Sequence, residues 1–413
     1  MPFHLVVGFL LNQLKGAYQR EMDDFLCALK LPQQVSAAAV CKARYALKSS
    51  VFPALNDALL RHSLDIAQPT LWHTRRVMAV DGSVVNLPKL PGMFEAFGGQ
   101  RMCEKRGGAQ LPMARFSQLY DVSTGLSWHA SLDPYAIGEA VAAAEHLEHA
   151  PADALIVYDR GYPSYFLIAQ HVRHSRDFCM RVPRGFSPET DALFADTDIT
   201  SVEFLLKPNA SARALCKEHA QPDEPVRVRA VRVVLPPKKT KSKVAEPSCV
   251  EVLVTNLLDS TAYSDDVFGA LYNQRWTIEG DFRHLKSRLQ LENWTGKCPE
   301  AVRQDVFARV LSKNVVQVVI VEAQRRLDLK RASAKAAQQA VSMHRKKVNA
   351  TVALHLSKFQ MIAYLLKPNA ETLEPLVAQV MKNTNAQRLG RSYERQEKRG
   401  KSNRYPITSK QTC

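Results

Sequence analysis

The sequence lacks paired cysteines. Its eight cysteines are scattered singly, and no two are spaced as C-x-x-C. This pattern argues against a structural zinc site and against a disulfide scaffold, so we expect reduced, intracellular thiols. Two H-x-x-H pairs, His146/His149 and His171/His174, have no third ligand at metal-binding spacing. We interpret them as exposed histidines on helices.

Long apolar runs are also absent. The stretch "VVQVVIV", which begins at Val315, is far shorter than the roughly 20 apolar residues that span a bilayer. The opening "MPFHLVVGFLLNQLKG" has neither the basic start nor the small-residue cleavage site of a signal peptide. We therefore expect a cytoplasmic protein.

Acidic residues are outnumbered by basic ones. The 413 residues include 56 Lys and Arg against 40 Asp and Glu, which gives a formal net charge of +16. A surface this basic favours polyanions, and nucleic acid is the first candidate partner. A basic protein that is merely soluble is the alternative. The length predicts two or three domains.

Residues 1–72 are predicted to be helical. Ser36 is placed to cap a helix over "AAAVCKARYALKSSVF", and Lys42, Arg44 and Lys48 give that helix a basic side. A helix-turn-helix-like DNA reader and a plain helical bundle both fit this pattern.

Residues 73–325 are predicted to form an α/β domain with a mixed sheet. "RRVMAVDGSVVNLP" indicates a strand that ends at Asp81 before a turn, and "ALIVYDRGYP" indicates a buried strand that ends at Asp159. Alternating strands and helices follow. Residues of about 184–256 read as a β-rich insertion, in which "VRVRAVRVVLPP" is a strand with a solvated basic face. The lysine run at 238–243 is either a solvated loop or a phosphate-facing one.

The C-terminal third is predicted to be helical. Pro299 is placed to start a long apolar helix, and further helices should follow to about residue 382. We expect residues 326–386 to be a candidate dimerisation region. Residues 387–413 are rich in Arg and Lys and poor in apolar residues, so we expect a basic tail that is disordered when free.

The stretch "LYNQRWTIEGDFRHLKSRLQL", from Leu271 to Leu291, is predicted to be one helix with a polar stripe. At about 100° per residue, one edge of the helix carries a phenol, an acid and three bases. These are Tyr272, Arg275, Glu279, Arg283 and Lys286. An exposed row of salt bridges would give the same spacing, since several of these residues are four apart.

Two further acids favour a site over a salt-bridge row. Asp81 and Asp159 each end a predicted strand, and sites in open α/β sheets form at the carboxyl ends of strands. Three carboxylates without Cys or His suit Mg²⁺ or Mn²⁺. Two such ions could act on a phosphodiester, while the neighbouring bases and the phenol bind phosphates.

These residues resemble the DDE transposases of bacterial insertion sequences. The Y-x2-R-x3-E-x6-K signature of that family matches Tyr272, Arg275, Glu279 and Lys286, and "DGSVVNLP" and "DRGYPS" resemble its first and second Asp blocks. "ENWTGKCPEAVRQD" also resembles the segment after the signature. All blocks occur in the family's order, over about residues 75–325.

The resemblance implies a ribonuclease H-like core with a β-rich insertion, and Asp81, Asp159 and Glu279 as a catalytic triad for two Mg²⁺ or Mn²⁺ ions. It also implies cut-and-paste transposition by a homodimer that pairs two inverted-repeat ends and joins them to target DNA, in the bacterial cytoplasm near the nucleoid. The expected DNA-binding residues are Tyr272, Arg275, Trp276, Arg283, Lys286, Arg160, Lys238 and Lys239.

One departure concerns base flipping. Related enzymes use an aromatic residue of the insertion to stack on a flipped base, but residues 184–256 contain no Trp or Tyr. The competing functions are a ribonuclease H-like nuclease or junction resolvase without strand transfer, and a DNA-binding protein that makes no cuts.

Overall fold

The computed structural model describes residues 1–12, 16–32, 34–101, 108, 110–235, 249–336, 345–358, 360–366, 370–387 and 408–409. Four helices open the chain, as the sequence predicts. They are α1 (Phe3–Leu11), α2 (Tyr18–Ala28), α3 (Ala37–Tyr45) and α4 (Val51–Ser63). The side chain of Ser36 accepts a hydrogen bond from the backbone N–H of Ala39 at 3.2 Å, which confirms the predicted cap.

A mixed sheet of nine strands forms the centre of the described structure. The strands are β1 (Arg76–Asn86), β2 (Gly99–Arg101), β3 (Gln110–Asp121), β4 (Ser127–Pro134), β5 (Ala154–Tyr158), β6 (Asp177–Val182), β7 (Ser201–Leu206), β8 (Val226–Leu235) and β9 (Cys249–Thr255). Their order is β2-β3-β1-β5-β6-β9-β8-β7, and β4 pairs with β3. β5 runs parallel to both β1 and β6, and the other pairings are antiparallel. Helices flank this sheet, so the predicted α/β fold class is confirmed.

The remaining elements are mostly helical. Between the strands lie α5 (Met93–Phe97), α6 (Glu139–His149), α7 (Tyr165–Arg173), α8 (Pro188–Ala195) and α9 (Ala210–Glu218). After the sheet come α10 (Val267–Asn273), α11 (Trp276–Arg283), a π-helical turn (His284–Arg288), β10 (Asn293–Trp294), α12 (Pro299–Ala336), β11 (Arg345–Val348), α13 (Ala350–Ser357), α14 (Gln360–Leu366), α15 (Ala370–Lys382), β12 (Thr384–Gln387) and β13 (Thr408–Ser409). None of the described helices is long and apolar enough to cross a membrane.

The two faces of the sheet carry separate hydrophobic cores. Side chains of a strand alternate between faces, so Val77 and Ala79 of β1 pack with α1–α4 and α10–α15, whereas Met78 and Val80 pack with α6–α9. Odd-numbered residues of β5 likewise share the face of α10–α15. The face on which a residue lies therefore decides which helices it meets.

The prediction that Arg44 belongs to the basic side of α3 is wrong. It is buried, and its guanidinium bonds Asp305 at 2.8 Å, Thr295 at 2.7 Å and Gln304 at 2.6 Å. A buried cation needs such partners, and these come from α12 and the turn before it. Lys42 and Lys48 are exposed, as predicted.

The predicted solvated face of β8 is also wrong at Arg229. This residue is buried and forms an ion pair with Asp265, just before α10. The reason is that α10 covers this part of the strand, and the Arg229 guanidinium lies 5.5 Å from the centre of the Phe268 ring. Residues 184–256 also contain two helices, α8 and α9, and their strands extend the sheet from β6.

Two of the histidines predicted to be exposed are buried. The two ring nitrogens of His146 each have a partner. Nε2 lies 2.8 Å from Ser117 Oγ, and Nδ1 lies 2.8 Å from His129 Nδ1. His171 is paired with the Tyr158 hydroxyl at 2.9 Å. Both helices press these side chains against the sheet, where burial holds the pKa of each imidazole well below its ordinary range.

Candidate active site

Asp81 lies within β1 rather than at its end. The strand continues to Asn86 because β3 pairs with it along this whole stretch, and Asp81 lies opposite Gln118. The predicted turn after Asp81 is therefore wrong. The parallel pairing with β5, however, stops at Ala79, which lies opposite Val157. Asp81 thus stands just beyond the point where β1 and β5 separate.

Asp159 follows the last residue of β5. Two residues beyond the Ala79–Val157 pair, Asp81 and Asp159 reach the same level of the two neighbouring strands. Both continue the odd-numbered positions that face α10–α15. Asp159 Oδ1 accepts a hydrogen bond from the backbone N–H of Gly161 at 2.8 Å, which fixes the turn after the strand.

Glu279 lies on α11, which is separated from α10 by a break in the helix. Instead of one helix from Leu271 to Leu291, the chain forms α10, α11 and a π-helical turn. At the break, Arg275 N–H bonds the Tyr272 carbonyl at 3.1 Å and Ile278 N–H bonds the Arg275 carbonyl at 3.1 Å, which are the tighter i→i−3 bonds of a 3₁₀ turn. Helical irregularities of this kind are frequent at functional sites.

The three carboxylates lie close enough for Asp159 and Glu279 to influence Asp81 electrostatically. Burial raises the pKa of Asp81 to about 6, Asp159 and Glu279 add to the rise, and the Gly82 N–H and Arg275 oppose it. Like charges raise a carboxyl pKa only when they lie close by. Two strand residues and a helix residue from distant parts of the chain are therefore brought together.

Arg275 and Tyr272 line the site from α10 and the helix break. Both are buried, and Arg275 Nη2 lies 3.2 Å from Glu279 Oε1. Within the described part of the chain, Arg275 Nε and the Tyr272 hydroxyl are buried polar atoms without a hydrogen-bond partner. Burial alone would lower the pKa of Arg275, but Tyr272, Glu279 and Asp159 outweigh it and raise that pKa. Unpaired buried donors are costly, so they point to a ligand rich in acceptors.

The other predicted DNA-binding residues are placed differently. Trp276 is 48% exposed, and the Arg275 guanidinium lies 4.9 Å from the centre of its ring. Lys286 reaches β1, where it bonds Ser83 Oγ and, at 3.3 Å, the Val84 carbonyl. Arg160 and Arg283 are exposed. Lys238 and Lys239 lie outside the described residues.

Lys286 is half-buried beside Asp81. Burial lowers the pKa of its ammonium, and Glu292 and Asp81 oppose that change. Its bonds to Ser83 and Val84 connect the middle of the π-helical turn to the strand that carries Asp81. Lys286 thus links the π-helical turn to β1, and its ammonium lies near Asp81 and Glu292.

Sequence reasoning missed Tyr162 and Glu139. A Cβ atom on Gly82 would lie 3.2 Å from the Tyr162 hydroxyl, so this glycine admits Tyr162 beside Asp81. Burial raises the pKa of Tyr162 well above its ordinary value, and Asp81, Glu139 and Asp159 add to the rise. The "DRGY" motif contained a signal for Tyr162, whereas the spacing of Glu139 contained none.

A buried polar network supports α11 from below. Gln118, the strand partner of Asp81, donates a hydrogen bond to Asp281 Oδ2 at 2.9 Å. Lys313 of α12 lies 3.0 Å from the other oxygen of Asp281 and donates to Ser127 Oγ at 2.6 Å. The network therefore links the neighbours of Asp81 and Glu279. Only the fold brings these residues together.

The donor set of the site suits a hard divalent cation. Carboxylate oxygens are the ligands that Mg²⁺ and Mn²⁺ prefer, and a cation would stabilise the charged form of Asp81, which burial and the neighbouring carboxylates disfavour. Across the described ranges, no three His, Cys, Asp or Glu side chains are already close enough to enclose a metal ion. Glu279 is instead paired with Arg275, whose Nη2 lies 3.2 Å from Glu279 Oε1.

A cavity of about 1110 Å³ lies against another side of α11, and its lining does not include the three carboxylates. It borders Trp276, Gly280 and His284 on one side and α12 on the other. Asp81, Asp159 and Glu279 are instead each partly exposed to solvent. A partly exposed site admits a large polymeric substrate more readily than an enclosed cavity does.

Comparisons with known proteins identify the family of this chain. Residues 72–315, more than half of the chain, match the family model described as the transposase DDE domain. The chain is 24% identical over 305 residues to the transposase InsG for insertion sequence element IS4 of Escherichia coli (strain K12), which is 70% of this chain and 62% of InsG. Over 113 residues it is 30% identical to the transposase for insertion sequence element IS421 of Escherichia coli, which is 23% of this chain and 30% of that relative.

Among solved structures, the cryo-EM structure of the piggyBac transposase synaptic complex with hairpin DNA aligns at a TM-score of 0.37 and 9% identity, covering 93% of this chain and 77% of that chain. The chain spans less than two thirds of the length of the curated relatives, 62% of InsG and 30% of the IS421 transposase. The family match covers both strand aspartates and the helix with Glu279, and on that match this chain belongs to the transposase DDE domain family.

Proposed function

We propose that this protein is a DNA transposase. It cleaves DNA strands at the inverted-repeat ends of an insertion sequence and transfers the 3′-hydroxyl to target DNA by cut-and-paste. The observation that carries this proposal is the convergence of Asp81, Asp159 and Glu279 beside the buried Arg275. Family membership supports it as well.

The carboxylates of Asp81, Asp159 and Glu279 would hold divalent cations, Mg²⁺ or Mn²⁺, with two ions per site. The chemistry that such ions supply is activation of an attacking water or 3′-hydroxyl and stabilisation of the leaving oxygen. Burial of Asp81 strengthens the case, because an acid kept partly out of water gains most from a cation.

Arg275 and Tyr272 would bind the phosphate that undergoes reaction. Their unpartnered atoms, Arg275 Nε and the Tyr272 hydroxyl, are donors, and phosphate oxygens accept from guanidinium and hydroxyl groups. Binding phosphate would also draw Arg275 away from Glu279, which frees that carboxylate for metal. DNA binding and completion of the metal site are thus coupled.

The remaining surfaces would position the DNA. Trp276, Arg283 and Arg160 are exposed near the site, and the net charge of +16 favours a polyanion. We assign residues 1–72 to recognition of DNA ends, and residues 326–386 to dimerisation within a complex that pairs two ends. Lys42 of α3 and Lys48, three residues after the end of α3, are both exposed. Such an enzyme would act in the bacterial cytoplasm, on the nucleoid.

The test uses the purified chain with Mg²⁺ and end-labelled DNA that carries the inverted repeats bracketing its gene. Wild-type protein should nick the ends and join them to a target plasmid. Asp159→Asn keeps an acceptor for the Gly161 N–H and should lose about a thousandfold or more of the cleavage rate, which equals about 4 kcal/mol.

The matched control is Asp198→Asn, an exposed aspartate between α8 and β7, which should cleave at the wild-type rate. Cleavage without joining would replace the transposase with a nuclease. Specific binding of the ends without any cleavage would identify a DNA-binding protein and overturn the proposal.

A further inference from the structure

Glu139 is the first residue of α6, and one oxygen of its carboxylate is held by an arginine. Oε1 accepts a hydrogen bond from Arg115 Nη1 at 2.8 Å. Oε2 faces the turn after β5, since a Cβ atom built on Gly161 would lie 3.3 Å from Glu139 Oε2 and 3.1 Å from Asp159 Oδ1. Glu139 Oε2 and Asp159 Oδ1 therefore border the same small space, which glycine leaves open.

Arg115 is itself fixed, so it can hold Glu139 in place. Its Nε donates to the Ile137 carbonyl at 2.6 Å, in the turn just before α6. Its backbone pairs with Val84 of β1, three residues after Asp81. One arginine thus connects the strand that bears Asp81 to the start of the helix that bears Glu139.

Tyr162 lies among the same acids. Its hydroxyl approaches Gly82, next to Asp81, and its pKa is raised by burial and then by Asp81, Glu139 and Asp159. The space beside Gly161, which both Glu139 Oε2 and Asp159 Oδ1 border, places Glu139 next to Asp159. The side chain of Glu139 is still 45% exposed, so a ligand from solvent can reach it.

We propose that Glu139 is a fourth carboxylate of the divalent-metal site, with Arg115 as the residue that positions it. This inference rests on the proposed function, because it assigns Glu139 to the cation that Asp159 would hold. Mg²⁺ and Mn²⁺ are surrounded by about six oxygen ligands, so a site for two ions uses more oxygens than three carboxylates provide. Glu139 Oε2 supplies one of these oxygens, directly or through a bound water.

The experiment measures Mn²⁺ binding to the full chain without DNA, by electron paramagnetic resonance of free Mn²⁺. Glu139→Gln keeps an oxygen that can accept from Arg115 but removes the charge, and it should weaken Mn²⁺ binding about tenfold or more. Glu148→Gln is the matched control, since Glu148 is an exposed glutamate of the same helix. It should bind Mn²⁺ as the wild type does.

Arg115 is tested through its dependence on Glu139. Arg115→Met should weaken Mn²⁺ binding in the wild-type background and have no further effect in the Glu139→Gln background, because its role passes through that carboxylate. A merely structural role would give the same loss in both backgrounds. Far-UV circular dichroism checks that each variant is folded.

Asp159→Asn separates this inference from the proposed function. If Asp159→Asn weakens Mn²⁺ binding while Glu139→Gln binds as the wild type does, the role of Glu139 is overturned and the three-carboxylate site stands. If Asp159→Asn also binds Mn²⁺ as the wild type does, the proposed metal site itself fails. Weakening by both variants, with Glu148→Gln unchanged, supports the fourth carboxylate.

Discussion

Lys313 Nζ lies 3.0 Å from Asp281 Oδ1, and each of the two side chains is only 8% exposed. This buried ion pair joins α12 to α11 two residues after Glu279. The second oxygen of Asp281 accepts from Gln118, which pairs with Asp81 across the sheet. The pair therefore helps to set the position of the helix that bears Glu279 relative to the strand that bears Asp81.

Lys313→Met is expected to destabilise the protein by about 3–5 kcal/mol, because it leaves the charge of Asp281 buried without its partner. The free energy of unfolding from urea titration measures this change. The double variant Asp281→Asn with Lys313→Met should recover much of the loss, since no buried charge is left.

Lys330→Met is the control for that series, because Lys330 is an exposed lysine of the same helix. It should change the free energy of unfolding by less than about 0.5 kcal/mol. An equal effect of the Lys313 and Lys330 substitutions would show that the pair does not support α11.

The contribution of Asp81 to the stability of the metal-free protein should fall as pH rises from about 4 to about 6. The pKa of Asp81 is raised from its ordinary 3.8 to about 6 in the folded protein. The unfolded chain therefore releases this proton at a lower pH and is stabilised relative to the folded protein over that interval. This loss of stability is absent at pH values below the pKa of Asp81 in the unfolded chain. It is complete at pH values above the pKa of Asp81 in the folded protein. It amounts to at most about 3 kcal/mol, at 1.36 kcal/mol per pKa unit.

Asp81→Asn removes this titration and keeps an oxygen for the Gly82 N–H. In EDTA, the free energy of unfolding of Asp81→Asn should therefore exceed that of the wild type at pH 7 and match it near pH 4. Urea titrations at both pH values decide the point. A difference that does not change with pH would contradict the raised pKa.

Divalent cations should stabilise the wild type at neutral pH. A ligand that binds only the folded state at a hundred times its Kd adds about 2.7 kcal/mol. Thermal unfolding with and without Mn²⁺ should show a higher Tm with Mn²⁺ for the wild type and a much smaller rise for Asp81→Asn. Equal shifts for both proteins would place the bound ion elsewhere on the chain.

Arg275→Met is expected to weaken DNA binding in a salt-dependent manner. Loss of one phosphate contact should lower the slope of log K against log salt by about 0.9. Fluorescence anisotropy of labelled end DNA at several salt concentrations measures the slope, with Lys330→Met as the control. An unchanged slope would mean that Arg275 serves Glu279 alone and binds no phosphate.

The sequence predicted the mixed sheet, the helices around it and the two strand aspartates, because periodic apolar patterns and turn residues are local signals. It did not predict where β1 ends. Asp81 followed by Gly82 and Ser83 resembles a turn, but pairing with β3 keeps this stretch extended to Asn86. Pairing between distant strands has no local signature.

The sequence also did not predict which polar residues are buried. Arg44 and His146 have the spacing of exposed helical residues, yet their partners Asp305 and Ser117 lie far along the chain. The break between α10 and α11 was missed for another reason. The wheel at a constant 100° per residue assumes a regular helix, whereas the chain tightens at Gln274 and widens after Arg283.

The most direct measurement of the central claim compares DNA cleavage by Asp81→Asn, Asp159→Asn and Glu279→Gln with that of a double variant, Asp81→Asn with Glu279→Gln. If the three carboxylates form one site, each single variant should fall to the same low rate, and the double variant should fall no further. A single variant that cleaves at the wild-type rate, or losses that multiply in the double variant, would contradict the account.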